Sequence, residues 1–146
     1  MNILFFDTET TGVPANYNAS YKDTANWPRL VQLGYIAYKD GEEIQSHEFI
    51  VIPTGFEISV EVSKVHGITQ ETALRNGESL AHVLSEFKSA VLWADVLVGH
   101  NLNFDMNVIG CEYVRMGGDS PLIEKKAYDT MLKATPLLKL QLLVPI

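Results

Sequence analysis

Asp7 and Glu9 stand two residues apart at the end of a short apolar run, Ile3-Leu4-Phe5-Phe6. In an extended strand, residues i and i+2 point to the same side, so both carboxylates would meet at one spot. Two such charges repel and raise each other's pKa unless a cation neutralises them. Oxygen donors with open positions suit Mg²⁺ or Mn²⁺ rather than Zn²⁺. Asp-x-Glu is also short and common, and a plain strand end with two solvated acids explains it equally. A third carboxylate, Asp105, closes the segment His100-Asn101-Leu102-Asn103-Phe104-Asp105. It falls in the first turn of an expected helix, where an acid interacts favourably with the helix dipole whatever else it does. In a parallel α/β arrangement the preceding strand end opens where ligands bind. Asp7, Glu9 and Asp105 together are candidate catalytic and metal-ligating residues at two adjacent strand ends. They suit a cradle for two metals about 3.5–4 Å apart, the geometry that clamps attacking and leaving oxygens in phosphodiester hydrolysis.

These residues must be positioned by a fold. Asn2 to Asp7 reads as a buried central strand, and Gly12 to Pro28 as a long ordered loop. Leu30 to Lys39 and Ile44 to Ile52 are rich in β-branched and aromatic residues and flank Asp40-Gly41, a hairpin turn signal. With the first strand they predict a three-stranded antiparallel meander. Short helical turns follow Pro53. Leu80, Val83, Leu84, Phe87 and Val91 obey the i, i+3, i+4, i+7 rule, so Ser79 to Trp93 reads as an amphipathic helix capped by Ser79. Val96 to Val98 reads as a short buried strand. Asn103 to Met116 reads as a second helix, with Asn103 as cap and Gly117-Gly118 as stop. Ala127 to Asp129 is a last short strand, with Asp129 expected to cap rather than ligate. Thr130 to Leu138 begins a helix interrupted at Pro136. The order predicts an α/β fold, a mixed sheet with helices on its faces.

Composition bounds the function. The chain has 146 residues, 47% apolar and 20% charged, which describes a single domain, 1–146, able to bury a real core. No window approaches the ~18 apolar residues of a membrane span. The lone Cys111, inside an expected helix, reads as a packing residue, and the absence of a leader-like start points to a reducing, cytoplasmic setting. Net charge is -7. It is unevenly spread: residues 1–124 carry 7 basic and 17 acidic side chains, residues 125–146 carry 4 and 1. A protein that coats nucleic acid through bulk electrostatics carries a basic face instead.

FDTETTG on a first strand, WPRLVQLGYI on the second, HGIT after the third and HNLNFD at a later helix start resemble the DEDD superfamily of 3′→5′ exonucleases. The resemblance is to the group of the DNA polymerase III epsilon (proofreading) subunit and covers Asn2 to about Leu140. It implies a ribonuclease H-like fold and an enzyme that hydrolyses terminal phosphodiester bonds with two Mg²⁺ or Mn²⁺ ions. It implies DNA 3′ ends as substrate, with RNA ends an alternative, and association with a DNA polymerase. Residue by residue, Asp7 and Glu9 match the first motif's metal ligands and Asp105 the second motif's aspartate. Thr8, Thr10, His66, Asn101 and Phe104 match positions lining the pocket for the 3′-terminal nucleotide. His66 read alone also fits a turn donor, His100 a partner for a backbone carbonyl, and Phe104 a core residue.

The family's third motif, a His (or Tyr) general base followed by Asp on a C-terminal helix, has no match. The histidines are His47, His66, His82 and His100, and nothing after Asp129 is acidic. Gln141 to Ile146 is almost wholly apolar and completes no helix. The expectation is an exonuclease domain incomplete at its C-terminus, impaired in activity and prone to self-association through uncovered apolar surface. A truncated or frameshifted reading frame and an expression boundary are preferred to a natural inactive relative, because an unpaired acidic cluster costs stability. The alternative is a non-catalytic module that binds nucleic-acid ends or tethers a polymerase.

Overall fold

The computed structural model describes residues 1–138. Five strands form one sheet: β1 (Asn2–Thr10), β2 (Leu30–Lys39), β3 (Glu42–Ile50), β4 (Val96–Gly99) and β5 (Lys126–Asp129). Their spatial order is β3-β2-β1-β4-β5. β1, β2 and β3 pair antiparallel, whereas β4 joins β1 and β5 joins β4 in parallel. This is the mixed sheet expected from the sequence. The helices are α1 (Val60–His66), α2 (Gln70–Asn76), α3 (Leu80–Trp93), α4 (Leu102–Arg115) and α5 (Thr130–Leu138).

Alternation along β1 decides which side chains are buried. Leu4, Phe6, Thr8 and Thr10 turn inward, while Phe5 and Asp7 are exposed and Glu9 is half-buried. The inward residues meet Leu33, Tyr35 and Ala37 of β2 and Val83, Leu84, Phe87 and Val91 of α3, as α3's apolar stripe predicts. Phe87 sits at the centre. Its ring lies 5.2 Å from that of Phe6 and 5.5 Å from that of Tyr35. Ile109, Val108 and the fully buried Cys111 extend this core along α4.

Several boundaries differ from the sequence reading. β1 continues three residues past Asp7 to Thr10, because Thr8 and Thr10 face the core and their neighbours face outward, which preserves the strand period. β3 begins at Glu42 because the tight turn at Asp40 and Gly41 (φ 51° and 86°) lets pairing start at once, Lys39 opposite Glu42. β3 ends at Ile50; Val51 then donates its N–H to the Val31 carbonyl at 2.8 Å and forms an isolated bridge to Glu78. α4 begins at Leu102. Asn101, not Asn103, is its cap, in a left-handed conformation (φ 58°, ψ 47°) and without a side-chain capping bond. Asp129 supplies that function from 28 residues away: its carboxylate accepts the Asn101 N–H at 3.0 Å and the Leu102 N–H at 2.9 Å. It also accepts the Met131 N–H at 2.9 Å, so one acid caps two helices, as a capping reading of Asp129 predicts. α5 runs through Pro136 rather than stopping there. A proline inside a helix forfeits one backbone hydrogen bond, which the described part of α5 accommodates. The apolar stretch Gln141 to Ile146 lies outside the described residues.

Phe87→Ala should reduce folding free energy by about 3–5 kcal/mol, because it removes a fully enclosed ring and leaves a cavity. Urea titration read by circular dichroism measures this; a loss under about 1 kcal/mol would place the core elsewhere.

Candidate active site

The sheet's two faces are unequal. α3 and α4 cover one; the other carries a concavity of about 780 Å³ whose lining includes Phe5, Asp7, Glu9, Gly34, Glu48 and His100. Register explains the grouping. Asp7 lies opposite Gly34, and Gly34 opposite Glu48, so a row across three strands reads acid, no side chain, acid. Glu9 lies opposite Gln32, whose Nε2 donates to Glu48 at 2.6 Å. Among the described residues neither the Asp7 nor the Glu9 side chain takes part in an ion pair. Both open toward the concavity.

Asp105 approaches from the opposite side of β1. It is 3% exposed, and its Oδ1 accepts both the Thr8 N–H at 3.1 Å and the Thr8 hydroxyl. Burial pushes its pKa up to about 7; the nearby charge of Asp7 adds to this, while the bonds from Thr8 oppose it. Three converging carboxylates, the cradle expected from the sequence, are therefore not assembled as such. Among the described residues no group of three or more His, Cys, Asp and Glu side chains converges tightly enough to hold a metal ion. The reason is the strand period: Thr8 faces the helix side and draws Asp105 there, whereas Asp7 and Glu9 face the open side. Asp7 and Glu9 remain the oxygen donors that fit a hard divalent cation.

The turn between β4 and α4 allows this close approach. A Cβ on Gly99 would lie 2.6 Å from Leu102 Cδ1 and 3.2 Å from the Phe6 carbonyl oxygen, so a larger residue there would force the Leu102 side chain to move and crowd β1. His100 follows, exposed on the rim, its Nδ1 3.0 Å from Thr130 Oγ1. That partner is a hydroxyl, not the backbone carbonyl the sequence suggested.

The remaining expected pocket residues sit apart from the concavity. Thr10 is buried and its hydroxyl donates to the Gly12 carbonyl at 2.7 Å. Asn101 is the left-handed residue before α4. Phe104 is half-buried, packed against the main core, with its ring 6.4 Å from that of Trp27. His66 ends α1; its Nδ1 accepts the Ile68 N–H at 3.1 Å, while its Nε2 is buried without a partner among the described residues. Sequence reasoning did not single out Gln32, Gly34 and Glu48. Counting back from the Asp40-Gly41 turn would set His47 opposite Gly34; a register shift between Ala37 and Tyr38 brings Glu48 there instead, so no local signal pointed to it.

Comparison with known proteins fits this geometry. Residues 4–138 match the RNase T family model, described as exonuclease. The chain is 32% identical over 128 residues to a PolC-type DNA polymerase III of Listeria monocytogenes, covering 86% of this chain and 8% of that protein. It is likewise 32% identical over 128 residues to the PolC-type DNA polymerase III of Streptococcus sanguinis, covering 88% of this chain and 8% of that one. It thus spans less than a tenth of the length of these relatives. Among solved structures, Escherichia coli exonuclease I in complex with a dT13 oligonucleotide superposes with a TM-score of 0.72 at 21% identity, covering 94% of this chain and 30% of that one. The zinc-bound form of the exonuclease I–ssDNA complex gives 0.74, with the same identity and coverage. These likenesses show a ribonuclease H-like fold.

Because the folded-state pKa of Asp105 is raised, its neutral form is favoured on folding. Its contribution is therefore greatest below about pH 4, falls as pH rises toward about 7 and is constant above. Asp105→Asn keeps an acceptor for the Thr8 N–H and removes the charge. Without divalent cations, the variant should gain about 2–4 kcal/mol over wild type at pH 8 and nothing at pH 4. Paired thermal melts across that range check this, and an equal difference at both pH values would reject it.

Proposed function

The chain belongs to the RNase T-type exonuclease family, and we propose that it is the catalytic scaffold of a metal-dependent 3′→5′ exonuclease of the DNA polymerase III proofreading type. One observation carries this reading: an unpaired Asp7–Glu9 pair opens into a concavity at the end of the central strand, with Asp105 buried behind it. The relatives are PolC-type polymerases and the structural neighbours include complexes of exonuclease I with oligonucleotides, which supports a DNA 3′ end as substrate and a polymerase as partner. RNA ends remain the alternative substrate, because 2′-hydroxyl discrimination depends on pocket contacts.

Asp7 and Glu9 would hold the cation, Mg²⁺ or Mn²⁺; Asp105, which the family pattern adds as a third ligand, lies buried behind them on Thr8. When bound, such ions polarise the scissile phosphate and lower the pKa of water. The protein's own residues do the rest. Thr8 holds Asp105, and this bond fixes α4 against β1. The bare backbone at Gly34 leaves room beside Asp7 for a sugar or phosphate. Thr8, Thr10, His66, Asn101 and Phe104 are assigned to the terminal nucleotide by the family pattern.

No histidine follows His100 and no acid follows Asp129 in the chain. Residues 1–146 therefore offer no match to the expected general base, and a polypeptide of these residues alone should turn over about 10²–10⁴-fold more slowly than a domain with the base. A second reading, a module that binds 3′ ends without cutting them, draws on the described residues bringing together no group of three or more metal-ligating side chains. Phe5, Ile36 and Ile44 are exposed on the sheet, 39%, 38% and 52%, so self-association belongs to either reading. No helix among the described residues is long and apolar enough to cross a membrane; the proposed cytoplasmic setting draws on the single cysteine, Cys111, which allows no intrachain disulfide.

A 5′-labelled single-stranded oligonucleotide incubated with Mn²⁺ or Mg²⁺ should shorten slowly from its 3′ end, and Asp7→Ala should reduce the rate by at least about 10²-fold. Shortening that survives in Asp7→Ala would remove the site assignment. End-specific binding with no shortening would establish the second reading.

A further inference from the structure

We propose that Glu112 is a positioning residue of this site, which sets the direction of Glu9 through the irregular pairing between β1 and β2. The inference rests on the reading of Asp7 and Glu9 as cation donors. Glu112 lies on α4 two turns beyond Asp105 and therefore on the same helix face. It is 1% exposed. Its Oε1 accepts Arg29 Nε at 2.9 Å, Arg115 Nη1 at 2.6 Å and the Leu30 N–H at 3.3 Å, and its Oε2 accepts Arg29 Nη2 at 3.3 Å.

Those partners all sit where the long loop enters β2. Arg115 also donates to the carbonyls of Thr24 at 2.8 Å and Trp27 at 2.7 Å. Arg29 in turn grips the far end of β1: the Thr11 N–H donates to its carbonyl at 3.0 Å, and its own N–H donates to Thr11 Oγ1 at 2.9 Å. Between these anchors the ladder slips. Glu9 pairs with Gln32, but Thr10 pairs with Leu30, so Val31 is an extra residue, fully buried.

A bulge of this kind bends its strand, increases the local twist and re-aims the neighbouring side chain. A regular ladder would instead pair Thr10 with Val31 and draw Val31 out of the small cluster it forms with Ile58, Ile68 and Ala73. The Glu112 carboxylate holds Leu30 and Arg29 on the far side of the slip. Asp105 fixes β1 at Thr8 and Glu112 fixes it past Thr10, so Glu9 projects from a segment held at both ends by one helix.

The probe is Mn²⁺ alone, titrated into the full chain and read by electron paramagnetic resonance of the free ion, alongside hydrogen exchange of the Thr11 amide. Glu112→Gln and Arg29→Lys should each weaken Mn²⁺ binding about 10-fold or more and speed Thr11 exchange. Glu71→Gln, which breaks only an exposed pair with Arg75, should do neither. Folded variants that bind Mn²⁺ as tightly as wild type would overturn the role of Glu112 alone. If Glu112→Gln fails to fold, Arg29→Lys decides, because it keeps the charge while losing the two-pronged contact and the guanidinium stacking 4.5 Å over the Phe56 ring. Wild-type protein that binds no Mn²⁺ at millimolar concentration would overturn the cation reading of Asp7 and Glu9 and this inference with it.

Discussion

A buried carboxylate bonded to one threonine governs the open end of this sheet. Asp105 is taken out of water at a cost that its two bonds from Thr8 and the start of α4 only partly offset, which is why its pKa rises to about 7. The bond fixes the side of β1 that faces the helices, and the strand period then forces Asp7 and Glu9 to the other side. Rotating Thr8 outward would bury the pair and expose the core. The uncompensated charge near Asp7 is the electrostatic cost of that arrangement, and a cation on the open side is what would relieve it.

α4 is the element through which these constraints pass. Its start is held from outside by Asp129, which reaches back from the end of β5 to the Asn101 and Leu102 amides. Its first turn carries Asp105, and its end carries Glu112 and Arg115, which tie down the loop between β1 and β2. Tyr21 of that loop lies directly over Gly110, where a Cβ would come within 3.0 Å of the ring. The loop lacks regular secondary structure, yet it is bonded to α4 at its middle and at its end. Such anchoring lets a long segment sit beside a site without loosening it.

What was legible in the sequence was local. The i, i+4 stripe from Leu80 to Val91, the Asp40-Gly41 turn and the i, i+2 spacing of Asp7 and Glu9 depend only on nearby residues, and all three appear in the structure. The capping role of Asp129 was readable from its place before a helix, but not its reach to α4, which needs β4 and β5 to pair first. The direction of Asp105 was not readable either, because a helix start fixes its position and not which strand residue it meets. Glu112 and Arg29 are 83 residues apart. Read singly, they are a helical acid and a pre-strand base; only the packed tertiary structure makes them a buried pair.

The uneven charge gains meaning from this arrangement. Residues 1–124 carry 17 acidic side chains against 7 basic ones, and two of those basic side chains, Arg29 and Arg115, are committed to Glu112. A polyanionic strand approaching Asp7 and Glu9 therefore meets like charge on this part of the protein. At physiological ionic strength, repulsion from exposed acids more than about 8 Å away is largely screened, but repulsion from the site's own carboxylates is not. Attraction must be local. The exposed His100 on the rim and Lys126 at the start of β5 lie on the β4–β5 side, while Glu48 and the acidic β3 lie on the other. For a nucleic-acid substrate, electrostatics alone thus favours entry across β4 and β5, with a bound cation neutralising the last few ångströms of the path.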